Sequence, residues 1–199
     1  MHDDILSNVQ ALLPASLWAL YLSLVNLGGW TSNYGWEWLT LELGFLSIFL
    51  CPLLTVWRSP LPQRVPPPPL VLFLFRWCAF RLLIGAGMSK LGQSSSRCWR
   101  ELTCTTTHYE TQPMPNPLAW YAHHLPASVH HLEVLLTFFE QLVLPFVILV
   151  PVRAVRVLAA FAAVFFQVEK LSTGNCACIN CACINIICVL PYTHTCRRE

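Results

Sequence analysis

Seven histidines and ten cysteines are the side chains of this sequence best suited to chemistry, and their spacing decides what they can do. His123-His124 and His130-His131 form an HH-x5-HH pair of pairs, with His108 upstream. Clustered imidazoles can hold zinc or iron, but such a site needs three or four ligands that converge in a defined geometry. No carboxylate enters the cluster before Glu133, and no H-E-x-x-H occurs. The pattern therefore reads as histidines exposed on a loop beside a membrane rather than as a metal site. There is no G-x-S-x-G elbow, no Walker A sequence and no G-x-G-x-x-G. The residues give no catalytic set, no metal site and no cofactor motif.

Seven of the cysteines fall into two groups. Cys98 and Cys104 bracket Trp-Arg-Glu-Leu-Thr. A separation of this size closes a small disulfide loop if the Cα atoms approach within about 7 Å. In an oxidising compartment the bond would persist; two free thiols are the alternative. Five of the ten cysteines lie from Cys176 to Cys188, four of them within two copies of CACIN at 176–180 and 181–185. Their C-x-C-x2-C-x-C pattern departs from the C-x2-C spacing of zinc sites. It equally suits small buried hydrophobes.

The elements that must position these residues follow from composition. The chain has 199 residues, 55% of them hydrophobic and 11% charged, and its mean hydropathy is +0.53. Soluble domains carry about 25% charge. A formal net charge of +2 is too small for a phosphate-binding surface, which argues against nucleic acid as a partner. The remaining class is an all-α membrane protein, because backbone groups in lipid must be satisfied within the segment. No Asp, Glu, Lys or Arg occurs from Ile5 to Trp36 or from Leu171 to Cys196. With about 20 apolar residues needed per crossing, the sequence predicts a multi-pass bundle of five spans: 12–28, 38–56, 70–91, 132–150 and 157–171. A sixth candidate covers 176–190. Asp3 and Asp4 precede the first span where a cleaved signal peptide would carry basic residues, so this span is expected to stay as an anchor.

The connections set the orientation. WRSPLPQRVPPPP at 57–69 carries Arg58 and Arg64, and its six prolines cannot continue a helix. Arg153 and Arg156 follow the fourth span. The positive-inside rule puts both connections, and the N-terminus, in the cytosol, and the long loop 92–131 on the lumenal or outer side. Within the spans, Glu42, Arg76, Arg81 and Glu140 are intramembrane polar candidates. Such charges face a bundle interior. They either recognise something or pair with one another, Arg76 and Arg81 with Glu42 or Glu140, to fix packing.

The long loop contains TQPMPNPL, with Pro113, Pro115 and Pro117 at alternate positions. Proline fixes φ and disfavours helix in the residue before it. The spacing predicts an extended strip suited to docking a partner. Trp99, Tyr109, Trp120 and Tyr121 flank it, and aromatic residues favour the membrane interface, so membrane lipid is an expected contact. The candidate partner-binding residues are Trp99, Arg100, His108, Tyr109, Glu110, Thr111, Gln112, Pro113, Pro115, Asn116, Pro117, Trp120 and Tyr121.

CWRELTC at 98–104 and HYETQPMPNPLAWYAHHLP at 108–126 closely resemble the lipase maturation factor family. So do FRLLIGAGMSKL at 80–91, YLSLVNLGG at 21–29 and YGWEWLTLELGFLSIFLCPL at 34–53. The resemblance covers roughly 17–175. It implies a multi-pass protein of the endoplasmic reticulum membrane that assists folding, assembly and export of secreted lipases such as lipoprotein lipase. The loop 92–131 would then be lumenal, and lipases would be folding clients of a binding protein rather than an enzyme. The family also has a large lumenal C-terminal region that these residues do not include, and the CACIN repeats depart from its pattern. The chain thus reads as a truncated or partial member with an altered tail. Three other readings are a membrane-embedded enzyme acting on lipid or a lumenal peptide, a small-molecule transporter with a hydrated path lined by Glu42, Arg76, Arg81 and Glu140, and a nonfunctional fragment. The residues do not fix an oligomeric state.

Overall fold

In the computed structural model, residues 2–29, 35–50, 68–92, 95–112 and 116–174 are described, with side chains from Leu12 onward. Every regular element among them is helical. The chain divides into two compact units, one within Met1–Phe75 and the other within Arg76–Thr193.

The first unit contains α1 (His2–Gly28) and α2 (Gly35–Ile48). Trp18 of α1 reaches α2 twice. Its indole N–H donates to the Leu41 carbonyl at 3.0 Å, and its ring lies 5.5 Å from that of Phe45. Gly44 permits this approach, since a Cβ there would sit 3.3 Å from the Trp18 ring. Leu13, Leu17, Leu20, Leu24 and Leu27 recur at helical spacing on α1 and face outward. Leucines exposed in a continuous stripe fit a lipid-facing surface. The expected span 38–56 is helical to Ile48; its last six residues, most of the proline-rich connection and the candidate 176–190 lie outside the described residues.

Helix α3 (Pro69–Leu91) runs from the first unit into the second. Pro69 occupies the first helical position, where a missing N–H costs nothing. The second unit continues with α4 (Arg97–Arg100), α5 (Cys104–His108), α6 (Pro117–His123), α7 (Ala127–Phe138), α8 (Leu144–Leu149) and α9 (Arg153–Thr173). Helices α7 and α8 form one rod, joined by a π-helical turn at Phe139–Val143. Pro145 explains the turn. A proline lacks the N–H that would bond the carbonyl four residues back, and its ring collides with that carbonyl. Widening the turn relieves both, and the Leu144 N–H bonds the Phe139 carbonyl instead. Among the described residues, two helices are long and apolar enough to cross a membrane: Pro69–Leu91 and the combined Ala127–Leu149.

The core of this unit joins Leu83 of α3, Leu144 and Ile148 of α8, and Ala159, Ala160 and Ala163 of α9. Small residues on α9 let the backbones approach closely, as in membrane helix packing. Leu158, Phe161, Phe165 and Val168 form the opposite, exposed face of α9.

The segment 92–131 is not a simple loop. Three short helices occupy its described part, and the expected extended strip ends at Asn116, because Pro117 starts α6. The alternating prolines concealed this, since proline is unfavourable inside a helix yet favoured at its first position.

Candidate functional site

The segment between α3 and α7 forms a platform closed at one end by the Cys98–Cys104 disulfide, whose Cα atoms are 4.7 Å apart. The Thr103 N–H bonds the Cys98 carbonyl at 2.9 Å, and Leu102 turns the ring with φ at 58°. That left-handed conformation costs a non-glycine residue about 1–2 kcal/mol. The ring sets Trp99 inward. The Lys90 ammonium stands 5.0 Å from its centroid, and Phe138 meets it edge-on at 6.1 Å.

The middle of the platform is a polar network. Thr105 donates to the His130 carbonyl at 3.0 Å. The buried His130 ring places Nδ1 3.1 Å from Glu133 and Nε2 3.3 Å from the His123 carbonyl. Burial, then the charges of Glu133 and Glu169, push the Tyr109 phenol above the ordinary value. Burial lowers His108, helped by the Lys90 charge and opposed by Glu133. Three of the four paired histidines serve the fold, each in a different way. His130 is a buried strut, His123 donates to the Glu110 carboxylate at 2.9 Å, and His124 bonds the Trp120 carbonyl at 2.7 Å. His131 is exposed.

The far end is latched to α9. Gln112 donates to the Thr173 carbonyl and Asn116 to the Ser172 carbonyl, each at 2.8 Å. The last carbonyls of a helix have no partner within it, and these two amides supply one. Asn116 also accepts from the Leu118 N–H at 3.0 Å, capping α6. Between the platform's parts lies an open cleft of about 390 Å³, lined by Tyr109, Glu110, Asn116, Ala119, Trp120, His123 and His124.

The expected partner-binding residues thus separate. Trp99, Tyr109, Gln112 and Asn116 are framework, held by internal contacts. Arg100, His108, Glu110, Thr111, Pro117, Trp120 and Tyr121 are exposed. Pro113 and Pro115 lie outside the described residues.

Of the charges expected within the spans, Glu42 is half-buried on α2, Arg76 half-buried on α3 and Arg81 exposed on α3. Glu140, in the π-helical turn, is 0% exposed. It does not pair with Arg76 or Arg81 as anticipated. One carboxylate oxygen accepts from Gln167 at 2.8 Å, and the other is bonded to the Lys170 ammonium. Beside it, Gln141 accepts from Lys90 at 2.9 Å. Lys90, Gln141 and Gln167 were not among the expected polar residues, and Lys170 was not assigned as the partner of Glu140. The signal was available: Arg156, Ala160, Ala163, Gln167 and Lys170 recur at helical spacing and mark the inward face of α9.

Comparison with known proteins adds the relationship. Residues 4–197 match the family model described as the lipase maturation factor transmembrane domain. Lipase maturation factor 1 from Homo sapiens is 48% identical over 164 residues, and that from Mus musculus 44%. Lipase maturation factor 2 from Rattus norvegicus is 40% identical over 166 residues. The matches cover 82% of this chain for the first two and 80% for the third. The chain spans 28% of the length of the factor 1 relatives and 23% of the factor 2 relative. No solved structure matches the chain.

Proposed function

The chain belongs to the lipase maturation factor family, and from that premise we propose that it is a multi-pass protein of the endoplasmic reticulum membrane that helps secreted lipases fold, assemble and leave. The bundle crosses the bilayer at 12–28, 38–56, 70–91, 132–150 and 157–171, with its N-terminus in the cytosol. It holds the platform 92–131 in the lumen. A partly folded lipase docks on the platform's exposed polar face through Arg100, His108, Glu110 and Thr111. Transient binding of a monomer shifts its equilibrium away from aggregation by mass action and needs no bond chemistry. The protein acts as a binding factor rather than an enzyme.

The observation that carries this reading is the construction of the platform. A disulfide closes one end of it, and an inward tryptophan and two helix-capping amides hold it to the helices. A surface braced in this way presents its side chains in one arrangement, which lowers the ordering penalty of binding.

The test is lipoprotein lipase secretion from cells lacking their own maturation factor, complemented with this chain. Secretion of active lipase is expected. Replacing Arg100, His108 and Glu110 together with alanine should abolish it while leaving abundance and membrane insertion unchanged. Unimpaired secretion by that variant would refute the docking face.

A further inference from the structure

Helix α6 exposes an apolar face that the platform does not use internally. Leu118 is 53% exposed, Trp120 60%, Tyr121 66% and Leu125, just beyond the helix, 43%. Ala119 on the other side is buried at 3%. No Asp, Glu, Lys or Arg occurs between Glu110 and Glu133. Such a charge-free stretch is unusual for a segment outside the spans.

The depth of α6 is fixed by two contacts. The His123 carbonyl, at its C-terminus, lies 3.3 Å from the ring of His130, in the first turn of α7. Asn116, at its N-terminus, bonds the Ser172 carbonyl in the last turn of α9. The α7–α8 rod has 23 residues. At about 1.5 Å per residue such a rod is about 35 Å long, against about 30 Å for a hydrocarbon core. The first turn of α7 therefore sits at the headgroup boundary, and α6 lies at the same level. Along the same rod Leu132, Leu135, Leu136 and Phe139 are exposed, so the apolar surface continues toward the bilayer centre.

We propose that Leu118, Trp120, Tyr121 and Leu125 form an interfacial anchor that lies in the headgroup boundary of the bilayer crossed by α7. Tryptophan and tyrosine suit this zone because an apolar ring can enter while its N–H or O–H stays hydrated. The anchor faces lipid, and the polar face with Arg100, His108 and Glu110 remains for a protein. The inference rests on the membrane crossing of α7 and is independent of the lipase reading.

The test places a photoreactive benzoylphenylalanine at Leu118, Tyr121 or Thr111 of the full chain, in microsomes containing radiolabelled phosphatidylcholine and a secreted lipase. Several-fold more lipid adduct is expected at 118 and 121 than at 111. A lipase adduct at 121, or lipid labelling no greater than at 111, would overturn the anchor. A second measurement uses the full chain in vesicles of phosphatidylcholine brominated near the headgroup. The fluorescence lost on Trp120→Phe should be quenched by these lipids; if it is not, the proposal is wrong. Failure of the lipase-docking variants would leave both results unchanged.

Discussion

Removing one member of the Glu140–Lys170 pair should destabilise the second unit more than removing both. Glu140 is fully buried, and its oxygens are taken by Gln167 and Lys170, whose side chain is 28% exposed. Breaking a buried ion pair costs about 3–5 kcal/mol, because the remaining charge has no compensation. Lys170 keeps some access to water, so we take the lower end, about 3 kcal/mol, for Glu140→Leu and for Lys170→Met. The double variant removes both charges and leaves only Gln167 without its acceptor. Interhelical hydrogen bonds in membranes average about 0.6 kcal/mol, so its loss should stay near 1 kcal/mol or below. For a chain of this size about 3 kcal/mol lowers Tm by about 6–12 °C. Thermal unfolding of the detergent-solubilised protein, followed by size exclusion, reads these shifts. The double variant should recover most of either single loss. Additive losses would refute the pairing, as would rescue of a Glu140→Arg variant by Arg81→Glu.

Gly87→Ala would bring a Cβ to 2.6 Å from Leu142 Cδ2 and 3.1 Å from Gln141 Cβ. Overpacking of this kind costs about 1–3 kcal/mol, and a second change, Leu142→Ala, should recover part of it in the same thermal assay. Asn116→Ala loses both the α6 cap and the bond to Ser172, about 2 kcal/mol together, and Asn116→Asp should not rescue, since it sets a carboxylate oxygen against a carbonyl. Tyr109 stays protonated beyond its ordinary 10.0 because burial and then Glu133 and Glu169 oppose the phenolate. Its folded value lies above its unfolded one, so its contribution to stability is full below about pH 10 and is lost as pH rises further. An ultraviolet titration of wild type minus Tyr109→Phe should show one delayed phenol; a difference curve centred at 10 or lower would contradict this.

How much was legible depended on how local each cause was. The helix over the expected span 70–91 was readable almost to the residue, because Pro69 starts it and apolar composition carries it. The π-helical turn was not, since its cause is the clash of Pro145 with a carbonyl four residues earlier, which hydropathy does not register. The partner of Glu140 was hidden for another reason. Lys170 lies near the end of α9, where a cation reads as an ordinary boundary charge, and only the packing of α9 brings it to the π-helical turn. In the platform the residue types pointed to docking, but type alone did not separate framework from surface. Trp99 and Trp120 look alike in sequence. One faces inward onto Lys90 and Phe138, and the other outward.

The two amides that close the platform onto α9 also set a timetable. Gln112 and Asn116 find their carbonyl partners 61 and 56 residues further along the chain. At about 5–20 residues per second of synthesis, those partners emerge about 3–12 s after the amides themselves. During that interval the disulfide ring and α6 can form, since their contacts are local, but the platform has nothing to fasten to. Its exposed face is therefore completed only when α9 has been made and has docked. A ribosome pausing between the two segments would lengthen the exposure of an unfastened platform without changing a single residue of it.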